Sequence, residues 1–366
     1  MNPVQAHGRP DRKPAANPVD DDPQVTADPS IANPVSELLI RATSRESVSP
    51  EDGKSTSSFE RVTIDGQGYF LKRLSPASDW IMRVTGDHVH RPYLAWQAGI
   101  MDQVPTSIDH TLVAMEISGV GDDAELSMLM RDVGPHLVPE GDSLVPAAQH
   151  AGFINHLAEL SSTFWGWQDD VGGLTTMPER FRFFDAVNVA RELAVADPPG
   201  PIVAADAGWR QLADRSPDLA SVARAIQDEP AILAGPLAAT PVTFLHGDWK
   251  MGNLGTHPDG RTILIDWAYP GSGPACWDLC WYLALNRTRL PESKEAAIAH
   301  FRRALERHGV DTSGWFDTQL DLCLIGIMAT FGWEKALGDE DELRWWERRV
   351  ADAVARRELD LGRRSG

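Results

Sequence analysis

The sequence predicts an α+β protein of two unequal lobes, a small N-terminal lobe built on a β-sheet and a larger, mainly α-helical C-terminal lobe. Three observations predict it. Short alternating apolar segments cluster before residue 133. Longer segments with apolar residues at helical spacing dominate from about Gly134 onward. Two brief β-like segments, 242–245 and 262–265, interrupt the helical part and bracket a polar loop. At 366 residues, 42% of them hydrophobic, the chain can build a substantial core. The expected division is a tail over 1–34, an N-terminal lobe over 35–133 and a C-terminal lobe over 134–366.

Residues 1–34 carry seven prolines, few large apolar side chains and no periodicity, so they bury too little surface to offset chain entropy. They are expected to be disordered. Order begins at Asn33-Pro34, where proline suits the first turn of a short helix bearing Val35, Leu38, Leu39 and Ile40. Residues 59–64 alternate, Gly66-Gln67-Gly68 supplies a turn and Tyr69-Phe70-Leu71-Lys72 resumes the strand, which makes a hairpin with Lys72 on its second strand. Residues 79–104 are helical in part, and 112–117 and 126–130 read as two further strands. Beyond Gly134, Phe153, Ile154, Leu157, Leu160 and Phe164 share one face of a helix, and the Pro/Gly-rich stretch 197–207 reads as a loop between helices.

Composition narrows the function classes. The formal charge of −19 disfavours a nucleic-acid backbone or an anionic membrane as main partner and favours cationic ligands. No run of eighteen apolar residues appears, and the first residues offer no apolar signal core, so the expected location is the cytoplasm. Cys276, Cys280 and Cys323 form no C-x-x-C pair and suit a reduced compartment as buried small side chains. Asp87-His88-Val89-His90 superficially offers metal ligands, but two histidines one residue apart without further partners read as loop residues.

The chemistry lies in the polar loop. Phe244-Leu245-His246-Gly247-Asp248-Trp249-Lys250-Met251-Gly252-Asn253 places an aspartate five positions before an asparagine, and Ile263-Leu264-Ile265-Asp266-Trp267 follows. Phosphoryl transfer needs a carboxylate to take the proton of an acceptor hydroxyl, and a second carboxylate with an amide oxygen to hold magnesium. Asp248, Asp266 and Asn253 supply those parts.

The H-G-D-x-x-x-x-N loop followed by I-D-W resembles the aminoglycoside phosphotransferase family, relatives of protein kinases. The resemblance is specific over 244–282 and loose over most of 45–340. It implies a bilobal protein-kinase-like fold and an ATP- and magnesium-dependent phosphotransferase acting on a hydroxyl of a small polar molecule, such as an amino sugar, an aminoglycoside or a related alcohol. It makes Asp248 the catalytic base, Asn253 and Asp266 the magnesium ligands, and Lys250 a lysine near the γ-phosphate. It makes Asp278, in Pro274-Ala275-Cys276-Trp277-Asp278, a structural acid; an N-terminal helix acid favoured by the dipole reads the same way.

The resemblance also assigns the nucleotide site. Lys72 would contact the α- and β-phosphates, and Gly53-Lys54-Ser55-Thr56-Ser57-Ser58 would cover them with Ser55, Ser57 and backbone amides. That loop is no Walker A motif, since Val48 stands where its first glycine belongs. Backbone groups near Met130 and Asp132 would hold the adenine edge. One departure stands out: the small-lobe helix of the family carries a glutamate that pairs with the strand lysine, and His90-Arg91-Pro92-Tyr93-Leu94-Ala95-Trp96-Gln97 has none. Gln97, Asp87 and Asp102 are candidate substitutes. The same departure keeps open a second class, a catalytically silent nucleotide-binding pseudokinase that acts through a partner. A protein kinase is disfavoured, because only twelve positions separate Asp266 from Asp278 and leave no room for a long activation loop. For the acceptor, Trp315, Trp333, Glu334, Asp339, Glu340, Asp341, Glu342, Trp345 and Trp346 offer aromatic faces and carboxylates suited to sugars and cations, or else a solvated acidic turn beside core tryptophans.

Overall fold

A computed structural model describes residues 34–48 and 58–359. The expected tail apart from Pro34, and residues 53–57 of the loop bearing Ser55 and Ser57, lie outside the described residues, while Ser58 is described and opens a strand. The chain opens with α1 (Val35–Ile40), β1 (Ala42–Val48), β2 (Ser58–Ile64) and β3 (Gln67–Leu74), followed by α2 (Trp80–Thr85) and α3 (Arg91–Gln97). Then come β4 (Ile108–Asp109), β5 (Leu112–Ser118) and β6 (Glu125–Arg131). Strands β1, β2, β3, β6 and β5, in that order, form one antiparallel sheet.

The β2–β3 hairpin closes on Asp65-Gly66, both with positive φ (50° and 82°), while Gln67 and Gly68 already belong to β3. Two successive left-handed residues suit the right-handed twist of the flanking strands, which is why the Asp-Gly pair makes the turn. β1 was not expected: its Ala-Thr-Ser-Arg-Glu-Ser-Val sequence is a mostly exposed edge strand and lacks an alternating pattern.

Side chains of β3 alternate between the faces of the sheet. Leu71 joins Val35, Val62, Ile64, Ala114 and Leu129 in a small core under α1, whereas Leu74 joins the main core on the opposite face. Lys72 therefore points to the side where the rest of the chain lies. Ser36 also donates its amide and hydroxyl to Glu116, but this is an exposed contact. A buried Val or Leu contributes about 2 kcal/mol, and an exposed polar contact of this kind about 1 kcal/mol or less, so α1 is held mainly by its apolar side chains.

On the outer face of the sheet Glu60 accepts two hydrogen bonds from Arg45, at 2.7 and 2.8 Å, and pairs with Arg73. The Arg45 hydrogen bonds, against the opposing effect of burial and with help from Arg73, hold its carboxyl down at about 2. A depressed acid stabilises the fold above its unfolded pKa, and that contribution is lost as pH falls through the folded value. Thermal melting of wild-type protein should therefore fall between about pH 4.5 and 2 more steeply than melting of Glu60→Gln; parallel curves would overturn the assignment.

The remaining elements are α4 (Ala147–Thr163), α5 (Met177–Phe181), α6 (Ala186–Leu193), α7 (Gly200–Arg215), α8 (Pro217–Asp228), α9 (Ala231–Ala238), β7 (Val242–Leu245), β8 (Leu254–Thr256), β9 (Thr262–Leu264), β10 (Gly271–Pro274), α10 (Cys276–Leu285), α11 (Lys294–Arg307), α12 (Phe316–Leu337) and α13 (Glu340–Arg357). The stretch expected as a loop over 197–207 instead begins α7 at Gly200, because Pro201 falls in the first helical turn, where its missing N–H costs nothing. α12 is predominantly apolar and almost wholly buried, and α7, α8, α10 and α13 pack around it.

The N-terminal elements are tied to the helical part at several points. Trp80 of α2 packs on Phe183 and Phe184. Arg83 pairs with buried Glu192 at 2.7 Å, and Arg91 pairs with Glu179 at 2.7 Å while donating to the Gly173 carbonyl. β4 joins β9 in parallel register, and its buried Asp109 accepts from His257 at 2.7 Å and from Arg131 at the end of β6. Among the described residues no helix is long and apolar enough to cross a membrane.

Candidate active site

β7 ends at Leu245 and pairs with β10, so residues 246–253 leave the sheet as a loop whose far end is fixed by β8 pairing with β9. Gly247 has φ +83°, and a Cβ there would collide with the Arg180 guanidinium and with Tyr269. Only glycine fits this turn. The amides of His246 and Gly247 both donate 3.0 Å bonds to the carboxylate of Asp278, and the Met251 amide donates to Asn286 Oδ1 at 2.9 Å. Asp278 in α10 and Asn286, which caps its C-terminus, thus supply the acceptors for three loop amides. Asp278 is a structural acid, as expected; its work is to hold the loop backbone, beyond any interaction with the helix dipole. Burial pushes its pKa up to about 6 against the pull of Arg180 and the two amides. His246 is fully buried, and burial drives its pKa down to about 3, so it is neutral. The Asp248 amide donates to its Nδ1, which leaves the ring proton on Nε2.

Asp248 is 2% exposed and its carboxylate is surrounded by donors. Oδ2 accepts from Lys250 Nζ at 2.6 Å and from Asn253 Nδ2 at 2.7 Å; Oδ1 accepts from the indole N–H of Trp281 at 2.8 Å. Burial raises its pKa, and Lys250 opposes that rise. The result is an ionisable group poised to take a proton more readily than an exposed aspartate does.

Asp266 follows β9 with φ +62°, a left-handed conformation that aspartate tolerates better than most residues. Lys72 Nζ lies 2.8 Å from its Oδ1, and Lys72 is 7% exposed. Burial works against the ammonium, but Asp266 and then Asp79 outweigh it and leave the Lys72 pKa raised. Burial likewise pushes Asp266 up, and Lys72 and Lys250 outweigh it, so that Asp266 titrates below the ordinary carboxylate range. Two residues 194 positions apart thereby become one ion pair.

In this structure the ion-pair partner of Lys72 is Asp266, with Asp79 close enough to add to the field. Asp87 instead accepts amides from Val89 and Arg91 at the start of α3. Met130 lies in β6, an interior strand, opposite Phe70 on one side and Leu112 on the other. Asp132 follows that strand; its amide donates to the Gly68 carbonyl, and its carboxylate accepts from the Gly134 amide and pairs with Arg61 at 3.3 Å.

Asn253 and Asp266 stand at the ends of paired strands, where the Ile265 amide donates to the Asn253 carbonyl at 3.0 Å. The Asn253 amide nitrogen points at Asp248, which turns its oxygen the other way. One amide oxygen and one carboxylate suit magnesium when phosphate oxygens and water complete the octahedron. No cluster of three or more His, Cys, Asp or Glu among the described residues could hold a metal by itself.

The surface of tryptophans and acids divides. Trp333 and Trp346 are core, and Trp315 packs at a tilt against Trp165, 5.3 Å between ring centroids. Asp339 caps α13 through the Glu342 amide, Glu340 pairs with Arg215, and Glu342 pairs with Lys294. These carboxylates serve the fold. Trp281 and Asp79 did not stand out in the sequence, since an indole or an aspartate carries no local sign of what it meets across the fold.

The family model for the phosphotransferase enzyme family matches residues 51–315. No curated protein sequence matches the chain. Among solved structures, a microcompartment-associated aminopropanol kinase is 14% identical, with 89% of this chain and 96% of that one covered and a TM-score of 0.48. A spectinomycin phosphotransferase in complex with ADP and spectinomycin is 12% identical (86% and 92%, TM-score 0.47), and the choline kinase LicA from Streptococcus pneumoniae is 13% identical (88% and 96%, TM-score 0.40). The family match spans most of the chain and takes in Lys72, the 246–253 loop and Asp266, and the protein belongs to the phosphotransferase enzyme family.

Proposed function

We propose that this phosphotransferase moves the γ-phosphoryl group of ATP, with magnesium, onto a hydroxyl of a small polar molecule, with Asp248 as the base. The observation that carries the reading is the buried Asp248 carboxylate with its raised pKa, set in one electrostatic cluster with Lys250, Asn253, Asp266 and Lys72. As the acceptor oxygen bonds to phosphorus, the bond to the β-phosphate oxygen breaks, ADP leaves with that electron pair, and the hydroxyl proton passes to Asp248. Lys250, already paired with Asp248 at 2.6 Å, is the cation placed to meet the transferring phosphoryl group. Lys72 would leave Asp266 for the α- and β-phosphates. Asn253 and Asp266 would hold magnesium, which when bound neutralises charge on the phosphates.

The same proposal places the nucleotide between a lobe over 35–133 and a lobe over 134–366, with Ser55 and Ser57 over the phosphates and backbone groups near Met130 and Asp132 at the adenine edge. A net charge of −19 favours an acceptor that carries an amine. The test is magnesium-dependent ADP release by purified protein against aminopropanol, choline, spectinomycin and other aminoglycosides and amino sugars. Acceptor-stimulated turnover supports the reading; nucleotide binding with no turnover for any acceptor, and none with water, points to the silent alternative. Lys72→Met is expected to lower turnover about 100-fold by removing one preorganised cation, and an unchanged rate would remove Lys72 from the site.

A further inference from the structure

Around Asp248 the hydrogen bonds are distributed unevenly. A carboxylate offers about four lone-pair sites, two on each oxygen. Lys250 and Asn253 fill both on Oδ2, while among the described residues Oδ1 receives only the Trp281 indole. The site that remains for an acceptor hydroxyl is on Oδ1. We propose that Trp281 is a positioning residue for the base, its indole N–H fixing Oδ1 so that the second lone pair of that oxygen receives the acceptor proton. The inference rests on the reading of Asp248 as base.

The fold supports this in two ways. Asp278 and Trp281 stand three residues apart on α10 and so share a face of the helix. Asp278 holds the amides of His246 and Gly247, and Trp281 holds the side chain of Asp248, so one helix face sets both the loop backbone and the orientation of its carboxylate. The indole itself has little freedom. It is 5% exposed and packs edge-on against Phe331 at 4.6 Å between ring centroids, with Tyr269 and Trp277 each at 6.2 Å. Packing alone does not require the hydrogen bond: the indole nitrogens of buried Trp277 and Trp333 have no partner within the described fold. The Trp281 bond is thus a property of this position.

Trp281→Phe keeps an aromatic ring in the packing and removes the donor. With ATP and magnesium, measured as slow transfer to water and as transfer to any acceptor active in the panel above, the substitution is expected to lower kcat about tenfold with the KM for ATP unchanged. In an Asp248→Asn background the same substitution should have no further effect, because the group it positions is gone. A second measurement needs no turnover. In protein labelled with 15N-tryptophan, the Trp281 indole proton should resonate downfield, as expected of a donor to a carboxylate, and move upfield in Asp248→Asn while the other indoles stay in place. Wild-type kcat in Trp281→Phe, an equal loss in both backgrounds, or an indole resonance indifferent to Asp248→Asn would each overturn the proposal. Full turnover in Asp248→Asn itself would instead overturn the base assignment, which separates the two failures.

Discussion

Asp248→Asn is expected to lower acceptor-dependent turnover by about a thousandfold, the middle of the range that a positioned general base contributes, with the KM for ATP nearly unchanged. The carboxylate is the group in the site whose pKa burial raises while three donors keep it aligned. An amide has almost the same shape but cannot take the hydroxyl proton. It also meets donors on both sides: Lys250 and Asn253 face one oxygen position and Trp281 faces the other, so the amide NH2 must confront a donor in either orientation. That mismatch costs about 1–3 kcal/mol. Melting temperature and nucleotide affinity must therefore be measured beside the rate. Loss of turnover with intact ATP binding carries the conclusion; retention of turnover sinks it.

The largest effect on stability is expected for Asp278→Ala, at about 3–4 kcal/mol. The substitution strands the buried amides of His246 and Gly247, each costing about 1–3 kcal/mol when left without an acceptor, and it removes the negative charge that favours the buried Arg180 guanidinium. Asp278→Asn keeps one acceptor oxygen and should cost less. Wild type also separates from both variants by pH. Burial lifts the Asp278 pKa from 3.8 to about 6, so the folded protein holds a proton there that the unfolded chain has released. Its contribution therefore favours the fold at low pH and is lost as pH rises between about 3.8 and 6, opposite in sign to that of Glu60. Urea unfolding across that window should show a slope in wild type that Asp278→Asn lacks; equal slopes would place the Asp278 titration elsewhere.

How much of this was legible beforehand varies by residue. The hairpin, the strands expected at 112–117 and 126–130 (observed at Leu112–Ser118 and Glu125–Arg131) and the helical second half follow from periodicity, because period 2 and period 3.6 are written in local sequence. The hairpin turn lies at Asp65-Gly66 rather than at Gly66-Gln67-Gly68, because two turn signals compete in the same stretch. β1 escaped notice because an exposed edge strand has no buried face to impose a pattern. Asp248, Asn253 and Asp266 stand out because the proposed phosphoryl transfer needs such groups within one short loop and the strand that returns to it.

The sequence by itself determined the fold class and the family, and it singled out the 246–253 loop as the place where the proposed chemistry would lie, all from spacings of a few residues. Only the tertiary structure decided that Lys72 pairs with Asp266 across 194 positions, that Trp281 holds Asp248 across 33, and that Asp278 serves the loop backbone. Those contacts depend on which faces of distant strands and helices meet. Burial also strengthens each of them, and the local sequence shows neither property.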